Sequence, residues 1–490
     1  MKLVAVLLLV VGCTDNSVTI SPIIDVPAND SASAFPLDQL VLSVAESGSP
    51  TDLDSQTFAK GSQVSLPGVA FGSDLVIHMT GKVGSSEIAY GRTCSLSISA
   101  SGATPPSPHL FFAREVKFAD LDLALQPEPR MDGVAITDVE GAGLILGGTD
   151  PTTSAPLGEI ERFDPQTGAL VVLATTPEVT PRSGAVAAKL GTGGDARIAL
   201  IGGADSNGNG ATFIELVEPD APTGRRVDRV DDAQMARTQL TATALTDGRV
   251  IAIGGLAGNT PSTAVDEVTI ANGTATVRVL RAMLVFPRSA HTATRLGDDV
   301  GAPVLVVGGV DAAGNPIATS ELFKPLSEEI SPTFKPLMKY PRSGHQAVRM
   351  PDNSVLIIGG VGYFDPVNQP GVPGPVPSLE LFTLDAGFTD VGKLPPNAGL
   401  TDFAATPLPD GRVLLTGGRT ATGTVTDTAF IARLDPIDGS VDVVATDHMS
   451  VHRAGHSATL LCDGTVLISG GTADPTAPAE RYNPPALGRR

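Results

Sequence analysis

The 490-residue sequence predicts an all-β protein, a seven-bladed β-propeller, and three observations carry this expectation. A pair of glycines that ends an apolar run occurs seven times, at spacings of 51 to 58 residues. Each pair follows two β-like runs joined by a tight turn, as in "TATALTDGRVIAIGG". Units of this length with four short strands are typical of propeller blades. The first glycines of the pairs are Gly147, Gly202, Gly254, Gly308, Gly359, Gly417 and Gly470.

Each glycine pair recurs together with an upstream arginine and a downstream glutamate. The sixth repeat has Leu400 instead of the arginine and Ala432 at the position expected for the glutamate, so both charges are missing together. We therefore expect one structural salt bridge in each of the other repeats; a ring of catalytic carboxylates is the less favoured alternative. The expected pairs are Arg130–Glu161, Arg182–Glu215, Arg237–Glu267, Arg288–Glu321, Arg342–Glu380 and Arg453–Glu480.

The phrases "PRSGHQAV", "DGRVLLTGG" and "ERFDPQTG" resemble kelch repeats, and the resemblance covers about three quarters of the chain. It implies a kelch-type propeller over residues 116–490. The family's outer-strand tryptophan is missing throughout, and its tyrosine is present only as Tyr482. Phenylalanine takes that place in three other repeats, which changes the packing and leaves the expected fold intact.

The N-terminal segment is expected to close the ring. The last repeat ends at "AERYNPPALGRR", which leaves no residues for a fourth strand, whereas the run 116–121 resembles one. Closure removes exposed strand edges. The long loop 361–378 then lies on the face through which propellers of this kind usually bind, and Tyr363 and Phe364 are its candidate binding residues.

The first residues, "MKLVAVLLLVVGC", predict export and lipidation. An apolar run too short to span a bilayer makes 1–12 a lipoprotein signal peptide, and Cys13 is the lipidated residue. The alternative is an ordinary buried start with a chance cysteine. Residues 13–34 are polar and Pro-containing, as expected of a tether. Thr14 after the cysteine points to the outer membrane by the enteric sorting rule.

Residues 35–115 carry no repeat phrase and predict a small antiparallel β-sandwich. Once Cys13 is lipidated, Cys94 and Cys462 are the remaining cysteines. Strand alternation places the first turn of the seventh repeat on the face where the sandwich enters. We therefore expect a Cys94–Cys462 disulfide between the two units, with two unpaired thiols as the alternative.

Other motifs favour structural roles. His291, His345 and His456 each lie three residues after a repeat arginine and could bind a metal, but they belong to different blades. The segment "DSNGNG" lacks the glutamate that would complete a calcium loop. The copper chemistry of galactose-oxidase-like kelch propellers needs a Tyr–Cys and His constellation that this sequence does not offer. No metal, cofactor or catalytic residue is expected.

The charge composition of the chain excludes one class of function. The net charge is −20 with no basic run, which argues against nucleic-acid binding. The expectation is a non-enzymatic binding or scaffold protein, held to the bacterial envelope by its lipid alone, that contacts a protein or glycan. The alternative is a carbohydrate-active enzyme with its site on the same loop face.

Overall fold

The computed structural model describes residues 17–28, 36–49, 51–59, 61–99, 107–121, 126–218, 225–364, 371–474 and 476–485. The all-β class is confirmed, because regular structure in this part of the chain consists of strands and two short 3₁₀ helices, Gly193–Asp195 and Ala233–Met235. No helix among the described residues is long and apolar enough to cross a membrane.

Seven antiparallel sheets, here sheets 1 to 7, follow one another along the chain, each with four main strands. The strands of sheets 1 to 3 are Val134–Thr137, Gly143–Leu146, Glu161–Asp164 and Ala169–Val172; Ser183–Leu190, Arg197–Ala204, Phe213–Val217 and Arg225–Asp231; and Thr241–Ala244, Val250–Ile253, Thr260–Ala271 and Thr274–Arg288. Those of sheets 4 and 5 are Thr292–Arg295, Val304–Val307, Ser320–Lys324 and Glu329–Ile330; and Gln346–Arg349, Val355–Ile358, Ser378–Thr383 and Gly387–Lys393. Those of sheets 6 and 7 are Ala404–Pro407, Val413–Thr416, Ala429–Leu434 and Val441–Ala445; and His456–Leu460, Val466–Gly470, Glu480–Asn483 and Lys117–Asp120.

Short strands extend three of these sheets or lie beside them. Thr175–Thr176 pairs in parallel with the outer strand of sheet 2, and Leu256–Ala257 pairs with the third strand of sheet 3. A small three-stranded sheet beside sheet 5 consists of Arg342–Ser343, Val361–Gly362 and Gly374–Pro375.

The second strands are apolar along most of their length because both of their faces are covered. Val304–Val307 and Val355–Ile358, for example, are buried at every residue. Such continuous apolar runs are expected where a sheet packs on both sides. A buried apolar cluster lies between each pair of neighbouring sheets, including sheets 7 and 1.

The first strands of the seven sheets lie next to one another. Each contacts the first strand of the following sheet, and the first strand of sheet 7 contacts that of sheet 1. The two ends of the repeat region therefore meet.

The fourth strand of sheet 7 comes from the beginning of the repeat region. Lys117–Asp120 pairs antiparallel with Glu480–Asn483, and the rings of Phe118 and Tyr482 lie 4.8 Å apart between centres. Chain segments more than 350 residues apart therefore share one sheet.

The N-terminal module has its own core beside the repeat sheets. Its large sheet consists of Gln39–Glu46, Asp52–Ala59, Gly72–Val83, Ser86–Arg92, Leu96–Ile98 and Ala113–Arg114. Two small sheets pair Ser17–Ile20 with Leu66–Ala70 and Ile23–Asp25 with His109–Phe111.

The two small sheets contradict the prediction that residues 13–34 form a tether. Residues 17–25 form two strands, and Ile20 is fully buried in the core of the module. The module therefore begins by Ser17, and the boundary predicted at residue 35 is wrong. The apolar residues Val18, Ile20 and Ile24 pack against strands far along the chain, which local composition does not reveal.

Candidate functional site

The repeat arginines of five sheets are hydrogen-bonded to the glycine pair of the preceding sheet through their backbone carbonyls. The side chain of Arg342 donates to the carbonyl oxygen of Gly359 in its own repeat at 3.1 Å. Its backbone carbonyl accepts from the N–H of Gly309 in the preceding repeat at 2.9 Å. The same link joins the ends of the region, because Gly471 donates to the carbonyl of Arg130 at 2.8 Å. The spacing between the arginine and the glycine pair of a repeat therefore follows from the hydrogen bond between the arginine side chain and the first glycine.

Five of the six predicted ion pairs are present and buried. In each, the guanidinium of the arginine reaches the carboxylate on the third strand of the same sheet, and the carboxylate also accepts from a backbone N–H. Removing one partner of such a pair would leave an uncompensated charge in the interior. The pairs are Arg130–Glu161, Arg182–Glu215, Arg288–Glu321, Arg342–Glu380 and Arg453–Glu480.

The predicted Arg237–Glu267 pair is wrong, because Arg237 pairs with Asp266 instead. Neighbouring residues of a strand point to opposite faces, and Asp266 is the one that faces the arginine. Glu267 lies on the other face, where it pairs with Arg249 at 2.6 Å and Arg278 at 2.7 Å. Because Asp266 and Glu267 are adjacent, the sequence pattern did not show which of the two carboxylates faces Arg237.

Sheet 6 replaces the ion pair by an apolar contact. The carboxylates of the other sheets face the residue two before the first glycine, and in sheet 6 that residue, Leu415, faces Phe430. Phe430 and not Ala432 therefore takes the place of the glutamate. Leu400 and Phe430 are both buried in one apolar cluster, so the two charges were exchanged for two apolar groups.

The three histidines bridge neighbouring sheets separately. Each ring shares a hydrogen bond of 2.8 to 3.1 Å with a threonine of the preceding sheet. Burial, and then the charge of nearby arginines, lowers the pKa of His345 and His456 to about 3 and that of His291 well below its usual value. The rings are therefore neutral near pH 7. Among the described residues, no group of three or more His, Cys, Asp or Glu side chains is arranged to hold a metal.

The histidine rings also explain why the second strand of the preceding sheet is followed by glycine. A Cβ on Gly308 would lie 2.8 Å from the ring of His345, and one on Gly417 would lie 2.8 Å from the ring of His456. Both glycines have positive φ, near 60°, which other residues rarely adopt. The glycine of one repeat and the histidine of the next thus form one packing unit.

The structure bonds Cys94 of the module to Cys462 of sheet 7, with their Cα atoms 4.9 Å apart. The same turn receives further contacts, because Arg92 donates to the carbonyl of Cys462 at 3.5 Å. Asn483 donates to the backbone carbonyls of Tyr90 and Ala113, each at 2.9 Å. Module and repeat region are therefore joined by covalent and polar contacts.

Tyr363 and Phe364 lie in a cluster with an aromatic side chain that the sequence analysis did not single out. The ring centres of Phe364 and Tyr340 are 5.1 Å apart. The hydroxyl of Tyr363 donates to the side chain of Asn315, in the corresponding loop of sheet 4, at 3.3 Å. All three aromatic residues are half-buried. We call Tyr340, Tyr363 and Phe364 the aromatic cluster.

Two lysines flank the aromatic cluster. The ammonium of Lys393 lies 5.4 Å from the centre of the Phe364 ring, and that of Lys339 lies 4.9 Å from the Tyr340 ring. Lys339 also pairs with Asp390 at 2.8 Å, and this hydrogen bond raises its pKa. Ring faces beside cations can stack on the flat face of a sugar or an aromatic group and attract negative charge. The sequence feature that could have identified Tyr340 as a member of this cluster is its position two residues before the repeat arginine Arg342.

The remaining predicted site residue, Cys13, lies outside the described residues.

Comparisons with known proteins give little guidance. No protein-family model matches the chain, and no curated protein matches it significantly. Among solved structures, one titled "Structure of YjhT" aligns with 66% of this chain and 99% of its own length, at 15% sequence identity and a TM-score of 0.47. At this level, the likeness carries no inference about function.

Proposed function

We propose that this chain is a lipid-anchored binding or scaffold protein of the bacterial envelope, built on a seven-bladed kelch-type propeller. Its loop face contacts a protein or glycan, and the membrane is contacted through the lipid alone. The observation that carries the binding proposal is the aromatic cluster with its two lysines, because it gathers half-buried aromatic residues from separate loops.

The propeller proposal rests on the order of the sheets. Seven four-stranded sheets with neighbouring first strands, and a seventh sheet completed by Lys117–Asp120, are the features expected of a closed ring of blades. The module is proposed to be a small β-sandwich on the first-turn side, since Cys462 lies in the turn between the first two strands of sheet 7.

The anchor proposal rests on the N-terminal sequence "VVGC" at 10–13. Because the first strand begins at Ser17, an anchor at Cys13 would leave about 14 Å of extended chain at most between lipid and module. The module would then lie at the membrane surface, proposed to be that of the outer membrane.

Replacing Cys13 by serine is expected to release the protein from membranes, because several acyl chains anchor stably and no other anchor is proposed. Phase separation in detergent measures this: the wild-type protein enters the detergent phase and Cys13→Ser remains in the aqueous phase. Equal partition of the two proteins into detergent would contradict the anchor.

Truncation of the aromatic cluster is expected to weaken binding. Phe364→Ala and Tyr340→Ala should each lower retention of an envelope protein or glycan by about tenfold or more, the loss expected of a central aromatic contact. The measurement is binding of envelope proteins and purified envelope glycans to the immobilised full-length protein.

Phe286→Ala provides the matched control, because Phe286 is 48% exposed and belongs to sheet 3. Its retention should equal that of the wild type. If all three variants retain every ligand as well as the wild type does, the aromatic cluster is not the binding site.

The enzyme alternative receives less support. Burial, and then the neighbouring Glu159, raises the pKa of Glu128, but structural networks of charges raise pKa values in the same way. Turnover of an envelope glycan that is lost in a loop-face variant would favour the enzyme over the binding protein.

A further inference from the structure

The aromatic cluster lies on two chain segments whose backbones are paired. Val361–Gly362 pairs antiparallel with Arg342–Ser343, which brings the long loop of sheet 5 against the link between sheets 4 and 5. The approach is close, since a Cβ on Gly362 would overlap the carbonyl oxygen of Pro341. The N–H of Tyr363 donates to the same carbonyl at 3.2 Å. The two segments are therefore fixed relative to each other, which lowers the entropy that a partner must overcome on binding.

Two exposed aliphatic side chains extend the aromatic cluster. Leu337, three residues before Tyr340, is 60% exposed, and Val372, on the returning arm of the long loop, is 62% exposed. Continuing the antiparallel register of the two arms of the loop places Val372 opposite Phe364. Aliphatic surface gains free energy when apolar groups cover it, and a hydroxyl-rich glycan offers fewer such groups than protein side chains do. The two aliphatic side chains therefore favour a protein as the ligand.

The charge beside the aromatic cluster is positive. Lys393 is exposed and forms no hydrogen bond or ion pair with another described residue, and its ammonium lies 5.4 Å from the centre of the Phe364 ring. Lys339, in contrast, is balanced by Asp390 at 2.8 Å. One cation therefore remains unbalanced beside the cluster, on a chain whose net charge is −20. A carboxylate on the partner would balance this charge and would steer the two proteins together.

We propose that the aromatic cluster, together with Leu337 and Val372, docks a protein segment that carries apolar or aromatic side chains beside a carboxylate. The apolar side chains cover Phe364 and Val372, and the carboxylate faces Lys393. Aromatic residues at the centre with charged residues at the rim are common in protein interfaces. This inference rests on the proposed function, which leaves a protein and a glycan open as ligands, and it selects the protein.

The test is selection of short random peptides, displayed on phage, against the immobilised full-length protein, followed by affinity measurements with the selected peptides in synthetic form. The selected peptides should combine aspartate or glutamate with apolar or aromatic residues. Phe364→Ala and Leu337→Ser should each lower their affinity by about tenfold or more. Lys393→Gln should lower it by about two- to fivefold and reduce its dependence on salt, as expected of a charge at the rim.

Lys324→Gln is the matched control, because Lys324 is a partly exposed lysine at the end of the third strand of sheet 4, outside the proposed surface. It should bind the selected peptides as the wild type does. Melting temperatures show whether each variant is folded. Because Leu337 is largely exposed, Leu337→Ser tests the proposal even where Phe364→Ala disturbs the loop.

Three results would overturn the proposal. The first is a set of selected peptides without acidic residues, and the second is an affinity that is unchanged in both Phe364→Ala and Leu337→Ser. The third is retention of an envelope glycan that is lost in Phe364→Ala, while no peptide depends on the cluster; this would exclude the protein partner and leave the proposed binding function intact. If neither peptide nor glycan binding responds to any of these variants, the proposed binding function fails as well.

Discussion

Replacing Arg342 by leucine is expected to lower the free energy of unfolding by about 3–5 kcal/mol, because Glu380 would keep a buried charge without its partner. Both side chains are fully buried, and Glu380 would retain only its backbone N–H donors from Lys339 and Tyr340. Denaturant unfolding measures the loss. Lys324→Leu is the control, because the partly exposed Lys324–Glu329 pair should contribute less than about 1 kcal/mol.

Adding Glu380→Phe to Arg342→Leu is expected to restore much of the lost stability. Sheet 6 already carries this combination, with Leu400 and Phe430 buried in one cluster. Replacement of a whole buried ion pair by apolar groups is often neutral or stabilising. If the double variant is as unstable as the sum of the two single variants, the pair is not interchangeable with the apolar contact of sheet 6.

Loss of the Cys94–Cys462 disulfide is expected to cost about 5 kcal/mol of stability in the chain-entropy model, since it closes a very long loop. The sequence separation of the two cysteines is 368 residues. The measurement compares denaturant unfolding of the oxidised wild type with that of Cys94→Ala/Cys462→Ala. Reduced wild-type protein is the control and should match the double variant.

Thiol counting gives the outcome that would contradict this prediction. The Cys13→Ser protein, unfolded without reductant, should show no reactive thiol, because the two remaining cysteines are bonded. About two free thiols per chain would mean that the bridge does not form.

The part of the ion-pair pattern that is local to one repeat could be predicted from the sequence. The arginine recurs 17 or 20 residues before its glycine because its side chain donates to that glycine's carbonyl, as Arg342 does to Gly359, and the same guanidinium reaches a carboxylate on the third strand. The Arg237 pair could not be predicted, since Asp266 and Glu267 are adjacent and a shift of one residue reverses the face.

The rest of the fold could not be predicted from the sequence, because it depends on contacts between segments that are far apart along the chain. Residues 17–25 lie within the predicted tether, yet the apolar side chains of Val18, Ile20 and Ile24 belong to a core with strands that begin at Leu66 and His109. The partners that turn such a segment into strands are not visible from its own pattern.

The sequence by itself determined the all-β class, the seven repeats and the positions of the buried arginines and glycines. Each of these depends on periods and spacings within about 50 residues, which a repeated hydrogen-bonded unit imposes on the chain. Tertiary structure alone decided that Tyr340 joins Phe364 beside Lys393. These residues come from separate segments, and the pairing of Val361–Gly362 with Arg342–Ser343 brings two of the segments together.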